Sequence, residues 1–541
     1  MLTDVEFIDP QISNSEKILK IARCYDSHCH FFSTGEWLNT LQLGSIQKFS
    51  DLKKIANAIH QQSSQFIPQS DQTHQEQKYF RGKWLVGFGW DQSLWQFQDW
   101  PDNALNANLL PNTLVLDQLF PDTPVAFSRT DGHALWFNNK ALQLVKASLS
   151  MHEKTIWSEY QQQGQIQGGV ALETVRDFFW RLIPGYSQAQ LQEFAMQSQQ
   201  LFLSQGFTHL RDMECNLERL KILLQLEQEN RLHLHLILNF ELPSFNQLET
   251  VLQEMQQAQS LLKKSKKLRL GGLKFYVDGA LGSEGALLSQ KYQNRDHQGL
   301  QVYPDNEIKI IIQQAWQHRF AVCVHVIGDQ ASQLIVEQIQ KIQDQSGELH
   351  LEHVEVLRTE TIKQLQAWNV TCHLQPSHWL SDKKFLAAKL GTLISSVFPW
   401  NKLVQAKIPI FWGSDSPIES PSINRTLQAL QDAKVCGISD PYSHLSAESS
   451  SSSTIKSKSA SEANFMKNNL LTDSINNEIS DHMALTWLQP HVCPAMENFG
   501  INSCSYFKYE HDQQESPKVT CQQVLIDGQI IFSAPLKEDL R

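Results

Sequence analysis

Nowhere in the 541-residue sequence do about 18 apolar residues run together, so a membrane-spanning helix is excluded. The most apolar runs, such as LHLHLILNF at 232–240, have the length of a strand. No basic stripe or arginine-rich arm is present and the formal net charge is −11, so nucleic acid is not an expected partner. The cysteines (Cys24, Cys29, Cys215, Cys323, Cys372, Cys436, Cys493, Cys504, Cys521) include no CxxC pair and are odd in number. That fits reduced thiols in a cytosolic compartment, while the length of the chain excludes a small disulfide scaffold. The amino terminus MLTDVEFIDPQ has neither a positive n-region nor an apolar h-region, so a cytoplasmic location is expected. No glycine-rich phosphate fingerprint follows any predicted strand, which counts against a nucleotide-binding doubly wound sheet.

What the chain does contain is material for a core. It is 41% hydrophobic and only 19% charged, far from the composition of disorder. Its length exceeds the about 100–200 residues of an ordinary domain, so it holds several units or one large barrel. Eight β-rich runs are predicted as strands: 21–32, 207–213, 232–240, 268–278, 320–329, 350–357, 370–378 and 408–415. Between them Leu248, Val251, Leu252 and Met255 share a helical face, as do Ile308, Ile311, Ile312 and Ala315, and Leu334, Ile335, Ile339 and Ile342. Strands alternating with amphipathic helices predict an α/β fold, a (β/α)8 TIM-like barrel with its active site at the strand C-termini.

Two segments break the alternation. Residues 36–205 far exceed one crossover helix and hold most of the tryptophans, with the motifs GFGWD and SRTDGHALW; a lid or subdomain inserted after the first strand is expected. Residues 436–480 are serine-rich and lack apolar periodicity, which reads as a disordered insertion. The expected organisation is therefore an N-terminal segment 1–24, a barrel over 25–435 carrying the insertion, the serine-rich stretch, and a C-terminal part 481–541. In that last part SDHMALTWL reads as a helix and VTCQQVLIDGQIIF as a hairpin.

The sharpest local feature is Asp26-Ser27-His28-Cys29-His30, at the end of the first predicted strand. Alternate strand residues face one side, so His28 and His30 can share a metal ion at the barrel mouth. The same spacing recurs at His233 and His235, mid-strand in an apolar run, where core or interface histidines are expected. His28 and His30 differ in their company: His325, His353 and Asp415 fall at the ends of strands five, six and eight, and imidazole and carboxylate are ligands that zinc prefers. Lys274, near the end of strand four, is an odd neighbour for a metal as an ammonium ion. Carboxylated by CO2, it becomes an anionic oxygen ligand able to bridge two metals.

The set His-x-His, Lys, His, His, Asp on strands one, four, five, six and eight resembles the amidohydrolase superfamily. The motifs GFGWD, RTDGHALWFNNKAL, LKFYVDGALGS, VHVIGD, LEHVEV and GSDSPI, in this order from about residue 25 to 435, resemble the branch containing N-substituted formamide deformylase. The resemblance implies metal ligation by His28, His30, Lys274, His325, His353 and Asp415, with one or two divalent ions, zinc being expected, and CO2 for the lysine. It also implies Asp415 as general base and then general acid in hydrolysis of an amide-type C–N bond. A deaminase, another hydrolase on the same scaffold, or an inactive barrel acting as a binding protein are the alternatives. The expected partner is a small-molecule substrate, with no nucleic acid and no membrane; a homodimer is left open.

Substrate-side candidates are Trp90, Asp91, Arg129, Asp131 and His133 in the insertion, and Asp278 and Gln375 on the barrel. Each has a structural alternative: core packing for Trp90, and a turn or cap for Asp131 and Asp278. Glu352 neighbours His353 in its strand and is expected to point away from the barrel interior, and Asp329 is expected to be an N-cap. Relatives precede the His-x-His strand with a β-sandwich. Here that appendage is expected to be reduced or absent, surviving at most as strands from DVEFI, SYFKYE and the last hairpin. Glu284 stands where arginine is common, a charge reversal bearing on substrate class.

Overall fold

A computed structural model describes residues 5–8, 17–22, 24–64, 79–106, 110–130, 134–293, 295–435, 504–510, 518–526 and 529–533. Asp131 and His133, the serine-rich stretch 436–480 and SDHMALTWL lie outside the described residues. Strands are numbered in chain order. The barrel strands are β3 (Tyr25–Cys29), β11 (His209–Cys215), β12 (His235–Glu241), β13 (Leu268–Tyr276), β14 (Ala321–Val326), β15 (Leu349–His353), β16 (Val370–Leu374) and β17 (Ile410–Trp412). All eight predicted runs carry one. They pair in parallel in the order β17-β16-β15-β14-β13-β12-β11-β3.

The two edge strands of this sheet meet at the site end. Asp415 N donates to His28 O at 2.7 Å and His30 N to Ser416 O at 2.8 Å. Asp26, buried below them, accepts from His28 N at 3.2 Å and from Ser414 N at 3.0 Å. Gly413 is required here: a Cβ on it would stand 2.6 Å from His28 N. The helices bury the faces their periodicity predicts. Leu248–Leu261 buries Leu248, Val251, Leu252 and Met255, and Asp305–Gln317 buries Ile308, Ile311, Ile312 and Ala315.

Both ends of the chain contribute to one antiparallel sheet of β1 (Val5–Ile8), β2 (Lys17–Ala22), β18 (Cys504–Glu510), β19 (Lys518–Ile526) and β20 (Gln529–Ser533), in that order. Among the described residues the appendage is one five-stranded sheet. The predicted run 21–32 is split: its first two residues end β2, and the barrel strand starts at Tyr25. The final hairpin forms as expected, Ile526 pairing with Gln529.

The chain divides into two compact units, Glu36–Phe194 and the remainder. The inserted unit has its own sheet, β4 (Leu41–Gln42), β6 (Trp84–Trp90), β7 (Val125–Arg129), β8 (Ala134–Phe137), β10 (Val170–Leu172) and β9 (Ile166–Gln167), with β5 (Phe80–Arg81) paired to β6. Strand alternation sends Val125, Phe127, Ala134 and Trp136 into one apolar cluster and Ala126, Leu135 and Phe137 into another, so the sheet is buried on both faces. Among the described residues no helix is long and apolar enough to cross a membrane. Cys24, Cys29, Cys215, Cys323, Cys372 and Cys521 are free and buried.

Candidate metal centre

Strand alternation turns His28 inward, and two groups face its ring nitrogens. Its Nδ1 lies 2.6 Å from Glu352 Oε2, and the other oxygen of Glu352 accepts from the Arg211 guanidinium at 2.8 Å. Glu352 and Arg211 are almost fully buried. His28 Nε2 faces Asp415 Oδ1 at 3.1 Å, and His30 Nε2 faces the same oxygen at 3.2 Å. His30 leans on Glu214 through Nδ1, at 3.8 Å, while Glu214 accepts from Ser33 N at 2.6 Å and pairs with Arg219 at 3.2 Å.

The His353 ring completes the group, 4.7 Å from that of His28 and 4.5 Å from that of His325. Lys274 is fully buried beneath them, its Nζ lacking a hydrogen-bond partner and lying 4.5 Å from the Tyr276 ring centre. The six residues named from the strand pattern therefore all stand at the C-terminal end of the barrel strands. His233 and His235 do not join them: His235 opens β12 at the opposite end, stacked on His209 at 4.7 Å, and His233 precedes the strand.

The electrostatics follow from burial. Burial and the neighbouring Lys274 push His325 down to about 3, and burial also holds His353 well below the usual imidazole value. Burial alone would raise Asp415, but His28, His30 and His378 outweigh it and hold the carboxyl well below the usual range. Burial pushes the Lys274 ammonium down, toward the neutral amine.

The donor set fits a divalent cation. With Glu352 accepting from Nδ1 of His28, the Nε2 lone pair is left facing a carboxylate oxygen, a repulsion that a cation between them converts to ligation. His28 Nε2, His325 Nε2, His353 Nδ1, Lys274 Nζ and Asp415 Oδ1 are all buried without a hydrogen-bond partner. Lone pairs and an unpaired amine gathered this way are costly unless an ion satisfies them.

Other expected residues fall differently. Glu352 corrects its prediction: it faces the interior, and the neighbour rule fails because His353 and Val354 have φ of 75° and 50°. The strand proper puts His350 and Glu352 inward, and left-handed backbone at its end turns His353 to the same side. Asp278 accepts from Ile327 N, Gly328 N and Leu287 N at 2.7–3.0 Å and sits 3.8 Å from His325 Nε2. It clamps two loops beside the site, and burial raises it to about 7. Gln375, buried at the end of β16, donates to His373 O at 3.2 Å. Asp329 is the first residue of its helix rather than the cap, accepting from Ser289 N and pairing with Arg358 at 3.1 Å. Glu284 is paired with Arg295 at 3.3 Å and Lys389 at 3.4 Å, so local cations take up its charge.

In the inserted unit, Trp90 is fully buried, its indole donating to Phe127 O at 2.7 Å, within a cluster with Trp95 and Trp136. Trp90 is core rather than a pocket wall. Asp91 caps the short helix Gln92–Leu94 by accepting from Ser93 N. The Arg129 guanidinium lies 5.8 Å from the Trp90 ring centre.

Arg211, Glu214, Glu355 and His378 are among the residues at the site that were not singled out in the sequence. Arg211 stands in the fully buried strand HLRDMEC, where charged letters at Arg211, Asp212 and Glu214 carried a signal in composition. Glu355 and His378 carried none beyond the polar letters of LEHVEV and QPSHW. His378 Nδ1 lies 2.8 Å from Glu355 Oε1, and its Nε2 lies 3.4 Å from Asp415 Oδ2.

A model of the amidohydrolase family matches residues 25–435. YtcJ of Bacillus subtilis (strain 168), whose name assigns it provisionally to the amidohydrolases, is 26% identical over 405 residues, covering 73% of this chain and 69% of its own. Two solved structures described as uncharacterized metal-dependent hydrolases share the fold. One from Pyrococcus horikoshii OT3 has a TM-score of 0.61 at 19% identity, covering 91% of this chain and 86% of its own. One from Pyrococcus furiosus has a TM-score of 0.58 at 22% identity, covering 76% of each chain.

Proposed function

We propose, starting from the fact that this chain belongs to the amidohydrolase family, that it is a metal-dependent hydrolase of an amide-type C–N bond, with N-substituted formamides and cyclic amides as the first substrates to try. The observation that carries this reading is the convergence of His28 Nε2 and His30 Nε2 on one oxygen of Asp415, with Glu352 behind His28. His28, His30, His325, His353, Asp415 and Lys274 would hold the ion, for which zinc suits the imidazole and carboxylate set. A divalent ion there supplies polarisation of the scissile carbonyl and a nucleophilic water at neutral pH.

The chain's own groups do the rest. Asp415, held as a carboxylate, takes the proton of the attacking water and delivers it to the leaving nitrogen. Glu352 and Arg211 fix the His28 ring, and Glu214 backs His30, so the ligand atoms need no rearrangement. Lys274, whose ammonium form burial disfavours, can add CO2 with loss of one proton to give an anionic carbamate. A mononuclear deaminase has no use for such a lysine.

Metal analysis and a substrate panel test the proposal together. Protein prepared with zinc and bicarbonate is expected to hold about two divalent ions per chain, lost on changing His28 or Lys274. It is expected to turn over at least one member of a panel of N-formyl, N-acyl and cyclic amides. Protein that holds no metal after that preparation overturns the reading.

A further inference from the structure

Asp415 has two oxygens, and only one faces the imidazole pair. Oδ1 is shared between His28 Nε2 and His30 Nε2, while Oδ2 lies 3.4 Å from His378 Nε2. His378 stands in the first turn of the helix Pro376–Leu390, immediately after β16, and its other nitrogen lies 2.8 Å from Glu355 Oε1. The row Glu355, His378, Asp415 is buried throughout, with exposures of 2%, 8% and 6%.

The backbone of Asp415 is pinned by its bond to His28 O, yet a carboxylate remains free to turn about its last bond, where the torsional preference is broad and roughly two-fold. Turning carries Oδ1 away from the two imidazoles. Seated between Glu355 Oε1 at 2.8 Å and Asp415 Oδ2 at 3.4 Å, the buried His378 ring stands against the far side of the carboxylate and limits that rotation by its position, its Nε2 making no hydrogen bond in this geometry. Glu355 has no partner for its second oxygen among the described residues, so its one bond is spent on the ring.

We propose that His378, braced by Glu355, is a positioning residue that holds Oδ2 of Asp415 and thereby keeps Oδ1 aimed at the imidazole pair during the proton transfer. This rests on the hydrolase reading above.

The test loads full-length protein with cobalt(II) alone and reads two quantities that need no substrate: cobalt content and the visible d–d spectrum, which reports the arrangement of ligands. His378→Ala is expected to keep the parent's cobalt content and to shift the spectrum in the direction of Asp415→Asn. In His378→Gln an amide N–H reaches toward the same oxygen, and most of the parent spectrum is expected to return. Glu355→Gln, which preserves volume, is expected to give a smaller shift and stands in if His378→Ala fails to fold. With any amide found in the panel, kcat of His378→Ala is expected to fall about 10–100-fold, as for other residues that orient ligands, with KM within about two-fold of the parent's.

Unshifted spectra in both His378→Ala and Glu355→Gln overturn the proposal. So does loss of cobalt from His378→Ala, which would make the ring a ligand in its own right, an arrangement that the mutual reach of His353, Glu355 and His378 within 4.8 Å allows. A parent protein that takes up no cobalt overturns the hydrolase reading itself, whereas uptake with unshifted variants overturns the positioning role alone.

Discussion

Replacing Glu352 by glutamine keeps its shape and removes its charge, and two separate losses follow. The carboxylate is fully buried, with Arg211 2.8 Å from one oxygen and His28 2.6 Å from the other. The other contacts of Arg211 are Ser27 O, Met213 Sδ and Cys323 Sγ. None is an anion that could take over. Breaking a buried pair by removing one charge costs about 3–5 kcal/mol, against about 0–1 kcal/mol for a surface pair. The glutamine oxygen can still accept one bond, so about 3 kcal/mol is expected. The second loss is local. His28 Nδ1 exchanges an anionic acceptor for a neutral amide, and metal affinity is expected to fall about 10–100-fold, or about 1.4–2.7 kcal/mol. Urea unfolding of metal-free protein reads the first loss, and zinc competition against a chromophoric chelator reads the second. They must be measured apart, because bound metal itself stabilises the folded state. A metal-free variant within about 1 kcal/mol of the parent, the range of a surface pair, would refute the buried-pair reasoning. Unchanged zinc affinity would refute the orienting role.

Asp415→Asn should retain much of the metal while turnover falls by about 10²–10⁴-fold, the usual weight of a general acid–base group; surviving activity in a kinetic assay would mean the proton acceptor lies elsewhere. His233→Gln should leave metal content unchanged, since the ring lies before β12 at the end of the barrel away from the centre; elemental analysis decides. Trp90→Ala should lower stability by about 3–5 kcal/mol, seen as earlier thermal unfolding of the inserted unit. An altered KM at parent stability would instead return Trp90 to the pocket wall.

How far the sequence reached can be judged strand by strand. Each predicted barrel run holds a strand, because a short β-rich run between helical stretches is a local property of the sequence. Helix faces were equally legible: Ile308, Ile311, Ile312 and Ala315 are buried as their spacing requires. The edges were less so. Residues 21–22 belong to β2, paired to β18 near the other end of the chain, a partner that no local pattern identifies. In the insertion, Trp90 and Asp91 resemble a pocket motif in sequence, yet one is core and the other a cap.

The centre divides in the same way. Which side chains could bind a metal was readable from residue type and from their recurrence at strand ends: His28, His30, Lys274, His325, His353 and Asp415. How they are aimed was not. Alternation alone puts Glu352 and His353 on opposite faces, and only the left-handed backbone at 353–354 brings both inside. The bonds from Arg211 to Glu352 and from Glu355 to His378 join residues separated by 141 and 23 positions. A strand pattern is a property of neighbours along the chain and is written in sequence. Orientation at the barrel mouth depends on buried charges finding partners across the barrel, and only the closed tertiary structure decides which ones meet.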